Sequence, residues 1–109
     1  KAGRIRILGV STAKRVPQIP EVATIGETVP GYEAHTWFGV LAPAGTPQAV
    51  VDRLSKESMR ILQSDDIKRR FAEVGAEPIG NTPQQFAAFM AAETAKWAKV
   101  IKASGAKID

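Results

Sequence analysis

Prolines at positions 17, 20 and 30 bar regular structure from most of residues 13–31, "AKRVPQIPEVATIGETVPG". Each lacks an amide proton and biases the residue before it away from the helical region. Only one short helix fits there, near residues 22–28. This stretch separates two apolar, strand-like runs. Strands so far apart in sequence do not make a self-contained sheet, and the first, nearly all apolar beyond Ile7, wants neighbours on both sides that this chain hardly supplies. A fragment of a larger fold is the reading that follows.

The first run, residues 4–12, reads "RIRILGVST". Arg4, Ile5, Arg6 and Ile7 alternate and the chain then turns continuously apolar, the pattern of a strand leaving solvent for a two-sided sheet. The second run, residues 32–41, is rich in Tyr, Thr, Trp, Phe and Val, which suit a pleated, half-buried surface. It is expected to be an extended strand, entered from the Pro30-Gly31 turn and closed by "APAGTP".

Helical periodicity takes over beyond it. Thr46-Pro47 reads as a hydroxyl cap with proline at the first helical position. Val50, Val51, Leu54, Ile61 and Leu62 form one apolar stripe, with Asp52/Lys56 and Arg53/Glu57 as i,i+4 pairs on the other side. Ser64-Asp65-Asp66 caps a second helix with negative charge at its positive end. That helix turns Ile67, Phe71 and Val74 inward and stops at Gly75. "AEPIG" reads as a short edge strand, since Pro78 cannot donate to a ladder. "NTPQQF" opens the last helix with Thr82 as cap, Pro83 first and Gln85 completing a capping box. Phe86, Phe89, Met90, Trp97, Val100 and Ile101 form its stripe, and Gly105 ends it. Strand, loop, strand, helix, helix, strand, helix is an α/β order.

Composition narrows the function classes. Hydrophobic residues make up 44% and charged residues 24% of the 109, the balance of an ordinary globular chain. The formal charge of +4 is spread among acids. The densest basic cluster, Lys68-Arg69-Arg70, fans around a helix as a solvated face, so no nucleic-acid partner is expected. Without cysteine there is no disulfide, thiolate metal site or cysteine nucleophile. No run reaches the roughly 18 apolar residues of a membrane span. No signal peptide is visible, but the chain starts without Met, so that says little about localisation.

Candidate chemistry is sparse. His35 is the only histidine, and no metal-ligand spacing surrounds it. Ser11 and Thr36 are possible hydroxyl partners, but no nucleophile motif frames them. Gly39, Gly45 and Gly80 lack the spacing of a phosphate-cradling loop. No metal, cofactor or catalytic residue is therefore expected. Trp37 and Phe38 would point to opposite faces of a strand, one into a core and the other elsewhere, such as a cleft. Glu93 interrupts the apolar stripe of the last helix between Met90 and Trp97. A carboxylate there must be paired or hydrogen-bonded, which makes it a structural anchor.

Three elements together resemble a known family: the first strand with its "STAKR" loop, the "PGY…WFG…LAPAGTP" elbow, and the "NTPQQFAAF…E…KW" helix. They resemble the C-terminal third of the Bug-type (TctC-like) substrate-binding proteins of tripartite tricarboxylate transporters, across essentially the whole chain. The resemblance implies a non-enzymatic periplasmic receptor of type II binding-protein fold, with a small carboxylate held between two α/β lobes. Residues 1–34 would belong to the second lobe, residues 35–45 would be a crossover hinge and elbow, and residues 46–109 would pack on the first lobe.

Its implied partners are the carboxylate, membrane transporter subunits, and the missing N-terminal portion of the same protein or a second chain. Most carboxylate-gripping loops of this family lie upstream of the segment present here. Ser11, Thr12, His35, Thr36, Trp37 and Phe38 are left to line the cleft. The rule that ligands sit beyond the carboxyl ends of strands also favours Ser11 and Thr12. Two other classes compete: the C-terminal domain of an α/β enzyme using His35 as acid/base, and an interaction module built from the amphipathic helices.

Overall fold

A computed structural model describes residues 5–107. The chain divides into two compact units, one running to Leu41 and the other starting at Ala42.

In the first unit, among the described residues, one parallel bridge joins Val10 to Thr24. The Val10 N–H donates to the Ala23 carbonyl at 3.0 Å, and the Ile25 N–H donates to the Val10 carbonyl at 2.9 Å. The strand expected over residues 4–12 is thus corrected to one bridge within residues 5–12, Arg4 lying outside the described residues. A ladder needs a row of facing amides and carbonyls, and among the described residues the backbone bonds to this segment fall at Val10 and Ser11, near its end. Ile5 is accordingly 86% exposed.

The proline-rich segment turns twice, with the Ile19 N–H on the Val16 carbonyl and the Val22 N–H on the Ile19 carbonyl, each at 3.0 Å. The expected short helix is a 3-10 helix, Ile25–Glu27. Thr24 caps it in a complete capping box: its Oγ1 accepts the Glu27 N–H and its own N–H donates to the Glu27 side chain. A Cβ at Gly26 would meet the Tyr32 carbonyl oxygen at 3.1 Å, so the following chain folds back closely over this turn. Residues 32–41 contain no helix, as expected, but they pair in no ladder either.

The second unit is helical: α1 is Gln48–Leu62, α2 is Asp65–Glu73 and α3 is Pro83–Ser104. α1 starts one residue later than expected. Pro47 occupies the cap position, and the Thr46 hydroxyl donates to the Pro43 carbonyl at 2.8 Å instead of capping. That contact closes the elbow turn, which the Thr46 N–H also spans to the same carbonyl at 3.2 Å. On α1, Asp52 accepts from Gln48 and Glu57 pairs with Arg60, in place of the expected Lys56 and Arg53 pairs. Ser64 does cap α2 by position, yet its hydroxyl donates to the Ile61 carbonyl. Asp66 in the first turn binds both Arg69 and Arg70, at 2.7 and 2.9 Å.

α2 ends in a Schellman arrangement. The Ala76 N–H reaches the Phe71 carbonyl at 2.9 Å and the Gly75 N–H the Ala72 carbonyl at 3.1 Å, with Gly75 at φ 70°. The edge strand expected at "AEPIG" is not formed, and residues 76–81 are irregular. They pass beside α1, where a Cβ at Gly80 would sit 3.8 Å from Leu62 Cδ1. Among the described residues no facing strand completes a ladder there. α3 has the expected ends: the Thr82/Gln85 capping box with Pro83 first, and Gly105 in the left-handed region.

Among the described residues only Thr24 and Glu93 are buried, and no apolar side chain is. The stripes expected to point inward are at best half-buried, and Val74 at the end of α2 is 79% exposed. The helices form from local signals, and their apolar faces stay at least partly open to solvent.

Candidate functional site

The segment end at residues 11–12 meets the start of residues 34–38 through one backbone contact: the Ala34 N–H donates to the Ser11 carbonyl at 2.9 Å. That bond brings Ser11 and Thr12 beside His35. Ser11, Thr12 and His35 are half-buried, and Thr36 is exposed. The Thr12 hydroxyl donates to the Lys14 carbonyl at 2.7 Å, so its proton is committed to the loop that follows.

His35 Nδ1 lies 3.4 Å from Glu33 Oε1. Two residues is the separation at which side chains share a face of an extended chain. At that length the contact is too long for a well-formed hydrogen bond. Trp37 is partly exposed, and Phe38 is 94% exposed. Backbone contact thus gathers Ser11, Thr12 and His35, whereas Phe38 stands in solvent.

Two shallow concavities lie in the same unit, and neither contains any of these six residues. One, of about 370 Å³, is lined by Ala13, Thr24, Gly26, Glu27, Gly31, Tyr32 and Glu33. The other is bounded by Leu8, Gly9, Ala23, Ile25 and their neighbours. Among the described residues, no cluster of three or more His, Cys, Asp or Glu could hold a metal ion.

The most organised polar cluster was not anticipated from the residues. Arg15 forks onto Glu27, with Nε on Oε1 at 2.9 Å and Nη2 on Oε2 at 2.7 Å. The hydrogen bond from Arg15, and next that from the Thr24 backbone, hold the Glu27 carboxyl down at about 2. The Arg15 pKa is raised in turn, first by its hydrogen bond to Glu27. Half of this was legible: Thr24-Ile25-Gly26-Glu27 matches the capping-box pattern. Nothing in the local pattern pointed to Arg15.

Comparison with known proteins gives this geometry its context. The family model described as "Tripartite tricarboxylate transporter family receptor" matches residues 1–106. The chain belongs to this receptor family. It is 41% identical over 102 residues to the UPF0065 protein in the tcbD-tcbE intergenic region of Pseudomonas sp. (strain P51), covering 92% of this chain and 30% of that protein. It is 35% identical over 109 residues to Protein BugT of Bordetella pertussis, covering 99% of this chain and 33% of BugT. A UPF0065 protein of Bordetella bronchiseptica is 36% identical over 107 residues, with 98% of this chain and 32% of that protein covered. The chain therefore spans about a third of the length of these relatives. Among the described residues, no helix is long and apolar enough to cross a membrane.

Proposed function

We propose that this chain is part of an extracytoplasmic solute-binding receptor, working in the periplasm. It captures a small carboxylate between two lobes and delivers it to a tripartite tricarboxylate transporter, without catalysing a reaction. The observation that carries this reading is the receptor-family match over residues 1–106.

In that reading the whole protein has the α/β, two-lobe type II fold. Residues 1–34 contribute to the second lobe, residues 35–45 cross between lobes, and residues 46–109 pack on the first. The apolar faces left open on α1, α2 and α3, and the sparsely paired residues 5–12 and 32–41, are surfaces that the rest of such a protein would cover.

The ligand-facing residues are Ser11, Thr12, His35, Thr36, Trp37 and Phe38. A carboxylate needs convergent donors in a partly apolar setting. The Ser11 and Thr36 hydroxyls, the His35 imidazole and the Trp37 indole are such donors. Thr12, whose hydroxyl serves Lys14, would offer its backbone N–H. Phe38 would supply an apolar wall once the second lobe faces it.

Isothermal titration of the full-length receptor against a panel of di- and tricarboxylates tests this. Binding by the wild type that weakens in Ser11→Ala and Thr36→Val is the expected result. No binding across the panel, or a turnover activity abolished in His35→Ala, would overturn it in favour of another class.

A further inference from the structure

The loop following Ser11 is closed on itself by a single carboxylate. Arg15 reaches twelve residues along the chain to Glu27 with a bidentate fork, and its Nη1 donates to the Pro20 carbonyl at 3.2 Å. Glu27 Oε1 also accepts the Thr24 N–H at 3.0 Å. The start, the middle and the far end of the loop thus converge on the Arg15–Glu27 pair. Thr24, 5% exposed, is the bridge partner of Val10, and Val10 precedes Ser11.

The Arg15 and Glu27 side chains are 46% and 45% exposed. An isolated ion pair at such exposure contributes little to global stability. A planar guanidinium fork specifies geometry as well as attraction, because both carboxylate oxygens must be presented in register. Its effect is local: Glu27 accepts the Thr24 N–H, and the two bonds that hold Val10 are made on either side of Thr24, by the Ala23 carbonyl and the Ile25 N–H.

We propose that Arg15 and Glu27 are positioning residues which, through Thr24, preset the ligand-facing backbone at Ser11 and Thr12. This rests on the reading of Ser11 and Thr12 as part of the ligand site. Binding strengthens when a site is held in its bound geometry beforehand, because less ordering is left to do.

The test uses the full-length receptor with Arg15→Gln, Glu27→Gln and the double variant. Glutamine at position 27 keeps an oxygen for the Thr24 N–H, so it removes the charged fork but spares the cap. Amide hydrogen exchange at Val10 and Ile25 reads the local geometry, and titration with citrate reads affinity. Each single variant should speed exchange at both amides and raise the citrate Kd by about five- to tenfold, the range of a coupled pair, with the double variant no worse than either single. The melting temperature should stay essentially unchanged. Additive effects, or unchanged exchange at Val10 and Ile25, would overturn the proposal. So would a loss of affinity that only follows a falling melting temperature. A wild type that binds no carboxylate would defeat the ligand reading instead, and the exchange measurement would still decide the clamp.

Discussion

The Trp97 indole N–H donates to Glu93 Oε2 at 2.9 Å, one turn back along α3. Lys96 Nζ pairs with the other carboxylate oxygen and also lies 5.5 Å from the centre of the Trp97 ring. Glu93 is only 8% exposed, so these partners take over part of what water would otherwise provide. Glu93→Ala orphans the indole and should destabilise the full-length receptor by roughly 1–3 kcal/mol. Glu93→Gln, which keeps an acceptor for Trp97, should cost less. Urea unfolding of both variants checks the order.

Thr82 Oγ1 accepts the Gln85 N–H at 3.2 Å, and Gln85 Oε1 accepts the Thr82 N–H at 2.9 Å. Thr82→Ala removes one of the two reciprocal bonds at the start of α3 and should cost about 1 kcal/mol, whereas Thr82→Ser should be close to neutral. Thermal unfolding distinguishes the two.

Gly75 sits at φ 70° with open space where a Cβ would be. Gly75→Ala therefore introduces backbone strain without a clash, and should destabilise by roughly 1–2 kcal/mol. Gly75→Asn should recover part of that loss, because asparagine tolerates the left-handed region. Denaturant midpoints of the two variants give the comparison.

The Glu27 carboxyl, held at about 2, sits below its ordinary value, so the Arg15 clamp is fully present above the unfolded-state value near 4. Its contribution fades as pH falls from there through about 2. Mild acidification should leave the loop closed. Exchange at Ile25, corrected for the intrinsic pH dependence of amide exchange, should be flat from neutral pH down to about 5 and rise only in stronger acid. A rise near pH 6 would contradict this assignment.

The 109-residue polypeptide on its own should bind no small carboxylate with useful affinity and should self-associate. It buries no apolar side chain among the described residues, and Leu8, Phe38 and Val40 are each more than four-fifths exposed. An apolar surface of that kind seeks a partner or a copy of itself. Titration against di- and tricarboxylates together with light scattering checks both statements, and micromolar binding by a monomer would refute them.

What the sequence by itself determined is whatever closes within a few residues. Helical hydrogen bonds run from one turn to the next, so the cap at Thr82, the proline at 83 and the left-handed glycines at 75 and 105 mark helix ends wherever the chain is placed. Glu93 could be read as buried and paired because the stripe around it is periodic. The 3-10 helix was foreseeable because three prolines left room for little else.

Only the tertiary structure decided matters that depend on distant partners. Whether residues 5–12 and 32–41 become strands turns on facing backbones, and here one bridge at Val10 and one bond at Ser11 are what they find. The Thr46 hydroxyl is a local exception: cap and elbow both lay within three residues of it, and it took the Pro43 carbonyl. The Arg15–Glu27 fork spans twelve residues of irregular chain, where no periodicity constrains which side chains meet. A helix signal is local and survives in any context; a sheet, a core and a loop clamp exist only once separate parts of the chain are brought together.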